Sequence, residues 1–179
     1  MRPLRLSLIG TVIVTLLGGF SGVVSAQADS ADPMAPATAS IEIASSQEIS
    51  PGMMRMDVPG IVYTDGVHHE HVWEATDPRL SGAVTYRGNW MGFPEVPMQV
   101  ESATYEVANE GGRWFGAATA QAGPSLGNND TILLRGEGGY EGLMAYILID
   151  GTTTYPPRIY AAVFPGEMPP TPERSPVSE

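Results

Sequence analysis

The 179-residue chain contains no cysteine, and all nine of its basic side chains are arginine, so lysine is absent as well. The first absence excludes disulfides, thiol nucleophiles, thiolate metal sites and cysteine-borne lipid anchors. The second, set against 20 acidic side chains and a net charge of −11, argues against a nucleic-acid binder, whose affinity rests on basic groups displacing phosphate counterions. It argues equally against docking on anionic lipid. No stretch of the domain shows the three-and-four apolar spacing of an amphipathic helix, and no Gly-x-Ser-x-Gly elbow signals a serine hydrolase. What the chain does hold is a 42% hydrophobic content, enough for a core, punctuated by 21 glycines and 16 prolines.

The amino end reads as a secretory signal peptide over residues 1–26. Arg2 and Arg5 precede an uncharged run from Leu6 to Val24, and Val24-Ser25-Ala26 and Ala26-Gln27-Ala28 both fit the small-x-small cleavage pattern. A retained anchor is the alternative, since the run approaches spanning length. Cleavage places the protein outside the cytoplasm, secreted or periplasmic, with no stable membrane association afterwards. Residues 27–50, rich in Ala, Ser, Asp and Pro, read as a disordered linker, although Ile41 and Ile43 could form an edge strand. Residues 165–179 read as a disordered proline-rich tail.

Between them, residues 51–164 show short alternating runs bounded by turn residues. The expected strands are Met53–Val58, Val67–Glu74, Ala83–Trp90, Met98–Val107, Arg113–Ala120, Thr131–Gly136, Tyr140–Asp150 and Arg158–Phe164. Turn signals fall at Asp65-Gly66, Asn109-Glu110-Gly111-Gly112, Gly127-Asn128-Asn129-Asp130 and Gly138-Gly139, among others. Seven or eight antiparallel strands imply a barrel or a sandwich, and a closed barrel hides the edges of a chain that lacks lysine gatekeepers.

The run Gly136-Glu137-Gly138-Gly139-Tyr140-Glu141-Gly142-Leu143 resembles the Gly-x-Gly-x-aromatic-x-Gly segment of allene oxide cyclase-like barrels, a group related to the dirigent proteins. Ser81-Gly82 after Asp77-Pro78-Arg79, and Glu110-Gly111-Gly112-Arg113-Trp114-Phe115-Gly116, resemble secreted bacterial proteins of unknown role associated with the same barrel. The resemblance implies an all-β fold with a single antiparallel eight-stranded barrel around a central cavity, which in the plant relatives holds an apolar ligand. Read for itself, the glycine run Gly136, Gly138, Gly139 and Gly142 permits positive φ and a sharp bend at a barrel corner. A phosphate cradle would need a lysine and a following helix, and neither is there.

All three histidines lie in His68-His69-Glu70-His71. On a strand, His69 and His71 share a face with Val67 and Trp73, which is expected to turn inward, while His68, Glu70 and Glu74 share the wet face. His69 and His71 could give Zn²⁺ or Cu²⁺ two ligands, but a site needs a third and no second ligand cluster is visible. No metal and no cofactor is therefore expected. General acid–base work by His69 or His71, with Tyr140 polarising a substrate, is the catalytic alternative. Trp73, Trp114, Tyr140 and Tyr146 are expected to line the lumen. On the long strand both faces are apolar: Tyr140, Met144, Tyr146 and Leu148 on one, Leu143, Ala145, Ile147 and Ile149 on the other. An apolar outer face points to a homo-oligomer or to cover by the amino-terminal arm. The functional expectation is a non-catalytic binder of a small apolar ligand or a structural module, the alternative being a cofactor-free isomerase or cyclase acting in the lumen.

Overall fold

A computed structural model describes residues 32–124, 127–151 and 156–168. Eight antiparallel strands follow one another in chain order: β1 (Ala37–Val58), β2 (Ile61–Ala75), β3 (Gly82–Phe93), β4 (Met98–Asn109), β5 (Gly112–Gly123), β6 (Gly127–Gly138), β7 (Leu143–Asp150) and β8 (Arg158–Pro165). Each pairs with the next, and β1 returns to pair with β8, so the sheet closes into a barrel. The closing seam is short, running only from Ala37 opposite Val163 to Ile41 opposite Ile159. Beyond Ile41, β1 continues to Val58 bonded to β2 alone.

Period-two alternation decides which side chains fill the interior. Ile132 and Leu134 of β6, Ala145 and Ile147 of β7 and Val163 of β8 are buried, while the exposed positions on the other faces of the strands include Glu42, Glu70, Glu74, Arg87, Arg113 and Arg135. One end of the barrel is sealed. The β2–β3 connection folds a single 3₁₀ turn, Pro78–Leu80, that drives Leu80 to complete burial against the interior. Asn109, at the end of β4, holds this plug: its Nδ2 donates to the carbonyl oxygens of Arg79 (3.2 Å) and Ser81 (2.7 Å). The indole of Trp114 donates to the Arg79 carbonyl at 2.8 Å, and the Arg79 guanidinium pairs with Asp77 at 2.6 Å while reaching back to the Pro33 carbonyl at 2.7 Å.

Four expectations need correction. Residues 37–50 are not linker: they form the first part of β1, because their alternation, with Ala39 and Ile41 inward, supplies the strand that closes the ring. Asp65-Gly66 is not the first hairpin turn; that turn lies at Pro59-Gly60, and Gly66, at φ +76°, sits where the β2–β3 register shifts, inside β2. Glycine at positive φ serves a turn and a bulge alike, so the dipeptide could not tell them apart. Gly127-Asn128-Asn129-Asp130 begins β6 instead of preceding it. Tyr140 belongs to the β6–β7 turn, where Glu141 N–H donates to the Gly138 carbonyl and Leu143 N–H to the Tyr140 carbonyl, so β7 starts only at Leu143. The glycine run makes this turn tight: a Cβ on Gly136 would stand 2.0 Å from the Tyr140 carbonyl oxygen. The expected signal peptide lies outside the described residues, as does the tail beyond residue 168.

Candidate functional site

The end of the barrel opposite the plug is open and polar. Tracing the register from strand to strand, Trp90 of β3 faces Glu101 of β4, Glu101 faces Ala120 of β5, Ala120 faces Asp130 of β6, and Asp130 faces Ile149 of β7. Period two turns all of them toward the lumen, so two carboxyl groups stand in one row, their strands two spacings or about 10 Å apart. Next along the lumen face, Gly88 of β3 stands opposite Ala103 of β4. Gly88 has a specific part: a Cβ there would come within 2.1 Å of the Tyr86 hydroxyl, so glycine is what lets that phenol lie along the strand. Stretched over Gly88, the Tyr86 oxygen accepts from the Trp90 indole N–H at 2.8 Å.

The electrostatics follow from burial. Asp130 is 6% exposed, and its carboxyl is pushed up to about 7, first by desolvation and then by the charge of Glu101. Its Oδ1 is buried without a hydrogen-bond partner. Glu101 is raised by desolvation, an effect opposed by hydrogen bonding from Tyr86 and Trp90. The phenols of Tyr86 and Tyr105 are raised by burial and stay neutral. No arginine pairs with either acid among the described residues.

Deeper in the lumen an aromatic wall runs down β2, β3 and β4. The His69 and His71 rings stack nearly parallel at 5.8 Å, His69 meets the edge of Tyr86 at 5.6 Å, Tyr86 meets Tyr105 at 5.2 Å, and Tyr105 meets Trp73 at 6.0 Å. Desolvation, with the neighbouring His69 second, lowers His71 to about 4, so its imidazole is neutral near pH 7. Its Nδ1 is buried without a partner. Among the described residues, no three groups of ligating type converge as a metal site would require.

The open end carries two joined clefts. The inner one, about 280 Å³, is lined by Trp90, Gln99, Glu101, Ala120, Ala122 and Asn128. The outer one, about 620 Å³, is formed largely by Met54, Val62, Phe93, Pro97 and Met98, and it shares Trp90, Gln99 and Ala122 with the first. A small molecule could therefore lie across both with Trp90 as the common wall.

The structure thus separates the residues that the sequence grouped. His69, His71 and Trp73 are on the lumen wall. Trp114 is fully buried at the plug, where Tyr140 stacks on it at 5.0 Å and donates its hydroxyl proton to Asn109 Oδ1 at 2.6 Å. That places Tyr140 at the opposite end from the acids. Tyr146 stands 42% exposed outside, because β7 turns Ala145 and Ile147 inward. Glu101 and Tyr105 carry no motif and Asp130 reads as part of a turn, yet each had a signal: Glu101 falls in alternation with Tyr105 and Val107, and Asp130 with Ile132 and Leu134. An acid in phase with an apolar face is an acid bound for the interior. Comparison of the chain with protein-family models, with curated proteins and with solved structures found no match.

Proposed function

We propose that this chain is an exported barrel, akin to the allene oxide cyclase-like barrels, that binds a small apolar molecule at its open mouth without catalysis. The observation that carries this reading is the pair of clefts meeting at Trp90, at the end of a barrel whose other end is plugged by the fully buried Leu80. Their sizes bracket the several hundred Å³ a drug-sized ligand occupies. Export rests on the basic and then apolar amino-terminal run. Acidic and arginine side chains on the outer face around an apolar interior support a barrel in water, since transmembrane barrels reverse that distribution.

The test is a titration of the purified protein with an environment-sensitive apolar dye, read through Trp fluorescence. Replacing Trp90 with Ala should weaken binding about tenfold, the loss of one buried aromatic contact. Unchanged affinity would remove the mouth from consideration. The isomerase alternative has one observation in its favour: Asp130, titrating at about 7 near Tyr86, is poised for proton transfer at neutral pH. In that case Asp130→Asn would abolish turnover of a lipid-like substrate, with neutral His71 and its neighbour His69 as the further polar groups along the wall.

A further inference from the structure

The mouth has a chemical polarity that an apolar ligand alone does not explain. Two acids were placed in the lumen, they lack a basic partner among the described residues, and Asp130 Oδ1 is buried with nothing to accept from. A buried unpaired oxygen costs free energy, so it marks a place where a donor belongs. Around the acids stand π faces, Trp90 lining both clefts and Tyr86 fixed by its hydrogen bond to Trp90.

We infer that the inner cleft receives an organic ammonium group against Glu101 and Trp90 of its lining, with Asp130, one strand beyond Ala120 in the same row, adding negative charge from beside the cleft, Tyr86 held behind Trp90, and the outer cleft holding an apolar tail. This rests on the reading of the mouth as a binding site and deepens it. An ammonium head suits a carboxylate pair walled by aromatic rings, because the ring quadrupole attracts a cation while the carboxylates supply charge. A hard metal ion does not suit it, since Ca²⁺ or Mg²⁺ demands six or more oxygens and the wall supplies rings and methyl groups instead.

The site is also linked to protons. The titratable groups facing Asp130 are Glu101 and Tyr105 on β4 and Tyr86 on β3, with His69 and His71 further down β2; β5 and β7 offer Ala120 and Ile149. Both phenols stay neutral, so the change of charge falls on Asp130 near pH 7. Below that pH Asp130 carries a proton that the cation must displace, and above it the Asp130 carboxylate is free to meet the cation.

The probe is dodecylammonium below its micellar concentration, a donor whose charge does not change between pH 5.5 and 8, compared by calorimetry with dodecanol and dodecanoate. At pH 8 the ammonium should bind about tenfold or more tighter than the alcohol, and at pH 5.5 the preference should shrink several-fold. In the double variant Glu101→Gln, Asp130→Asn the preference should vanish while dodecanol still binds, which shows that the variant is folded. Equal binding of the ammonium and the alcohol by the native chain, or tighter binding of dodecanoate, would overturn the ammonium site and leave the mouth intact. A preference that survives in the double variant would assign it to the acidic surface and overturn the role of these two residues. Binding of none of the three probes would overturn the mouth reading and the inference together.

Discussion

Asp130 and His71 lie in the same lumen and are shifted in opposite directions, each toward its neutral form. For Asp130, the unfolded chain gives up its proton near the ordinary 3.8 while the folded chain keeps it to about 7, so stability falls as pH rises through that window. For His71, the unfolded chain takes a proton near 6.5 that the folded chain refuses until about 4, so stability falls as pH drops through that one. The two slopes oppose each other below 6.5, leaving Asp130 to dominate above it. Asp130→Asn should therefore stabilise the protein at pH 8 by about 1–3 kcal/mol and bring no comparable gain at pH 4, where the native carboxyl is already protonated. Thermal melts of both proteins across pH 4–8 check this, and a constant difference would contradict the buried-acid assignment. Only part of this was legible from residues alone. His69, His71 and Trp73 could be phased inward because four positions in a row alternate cleanly, whereas Asp130 was masked by the Gly-Asn-Asn before it, a sequence that spells a turn as readily as the start of a strand.

At the scale of elements, the plug works as a unit built from side chains far apart in sequence. Asn109 donates to three carbonyls of the β2–β3 connection, those of Pro78, Arg79 and Ser81, and accepts from Gly111 N–H and the Tyr140 hydroxyl. Asn109→Ala strands several of these buried groups at once and should cost about 2–4 kcal/mol. Tyr140→Phe removes one donor and should cost about 1 kcal/mol, with ligand affinity at the open end unchanged. Denaturant unfolding and the dye titration measure the two effects separately; a Tyr140→Phe variant that folds normally but no longer binds would return Tyr140 to the site. Three segments rich in turn residues, Asp77–Gly82, Glu110–Gly116 and Gly136–Leu143, meet at this plug. What they encode is a closed end: tight turns, a 3₁₀ plug and a stacked Trp114–Tyr140 pair. The strands themselves were readable from period two because each has one apolar face. The strand start at Ala37 was not, since alanine and serine carry too little hydrophobic contrast to mark a phase, whereas the turn at Pro59-Gly60 has its own dipeptide signal between Val58 and Ile61.

For the whole molecule, the outer surface is not uniformly polar. Tyr146 and Leu148 of β7 and Tyr160 and Phe164 of β8 stand between 37% and 47% exposed on adjoining strands. Leu148 lies opposite Tyr160 in the register, and Met144 opposite Phe164. A contiguous apolar patch of this kind on two adjoining strands fits self-association. Light scattering at micromolar concentration should give a mass above that of one chain, and Tyr160→Glu should return it to the single-chain value. A single-chain mass for the native protein would leave the patch without a copy of itself as partner.

The short seam between β1 and β8 has a consequence for how the ring comes to exist. Seven of the eight strand pairings join neighbours in sequence and can zip up one hairpin after another, but the eighth must bring together the two ends of the domain. Its loop-closure entropy is the largest in the fold and its ladder is among the shortest, so ring closure is the step that comes last and reverses first. Whenever it reverses, β1 stays paired with β2 while its first residues, Ala37–Ile41, and the facing edge of β8 are left unpaired, and the same β8 edge on a second molecule is an equally good fit. The strand that completes the barrel is thus also the one through which two barrels could exchange parts.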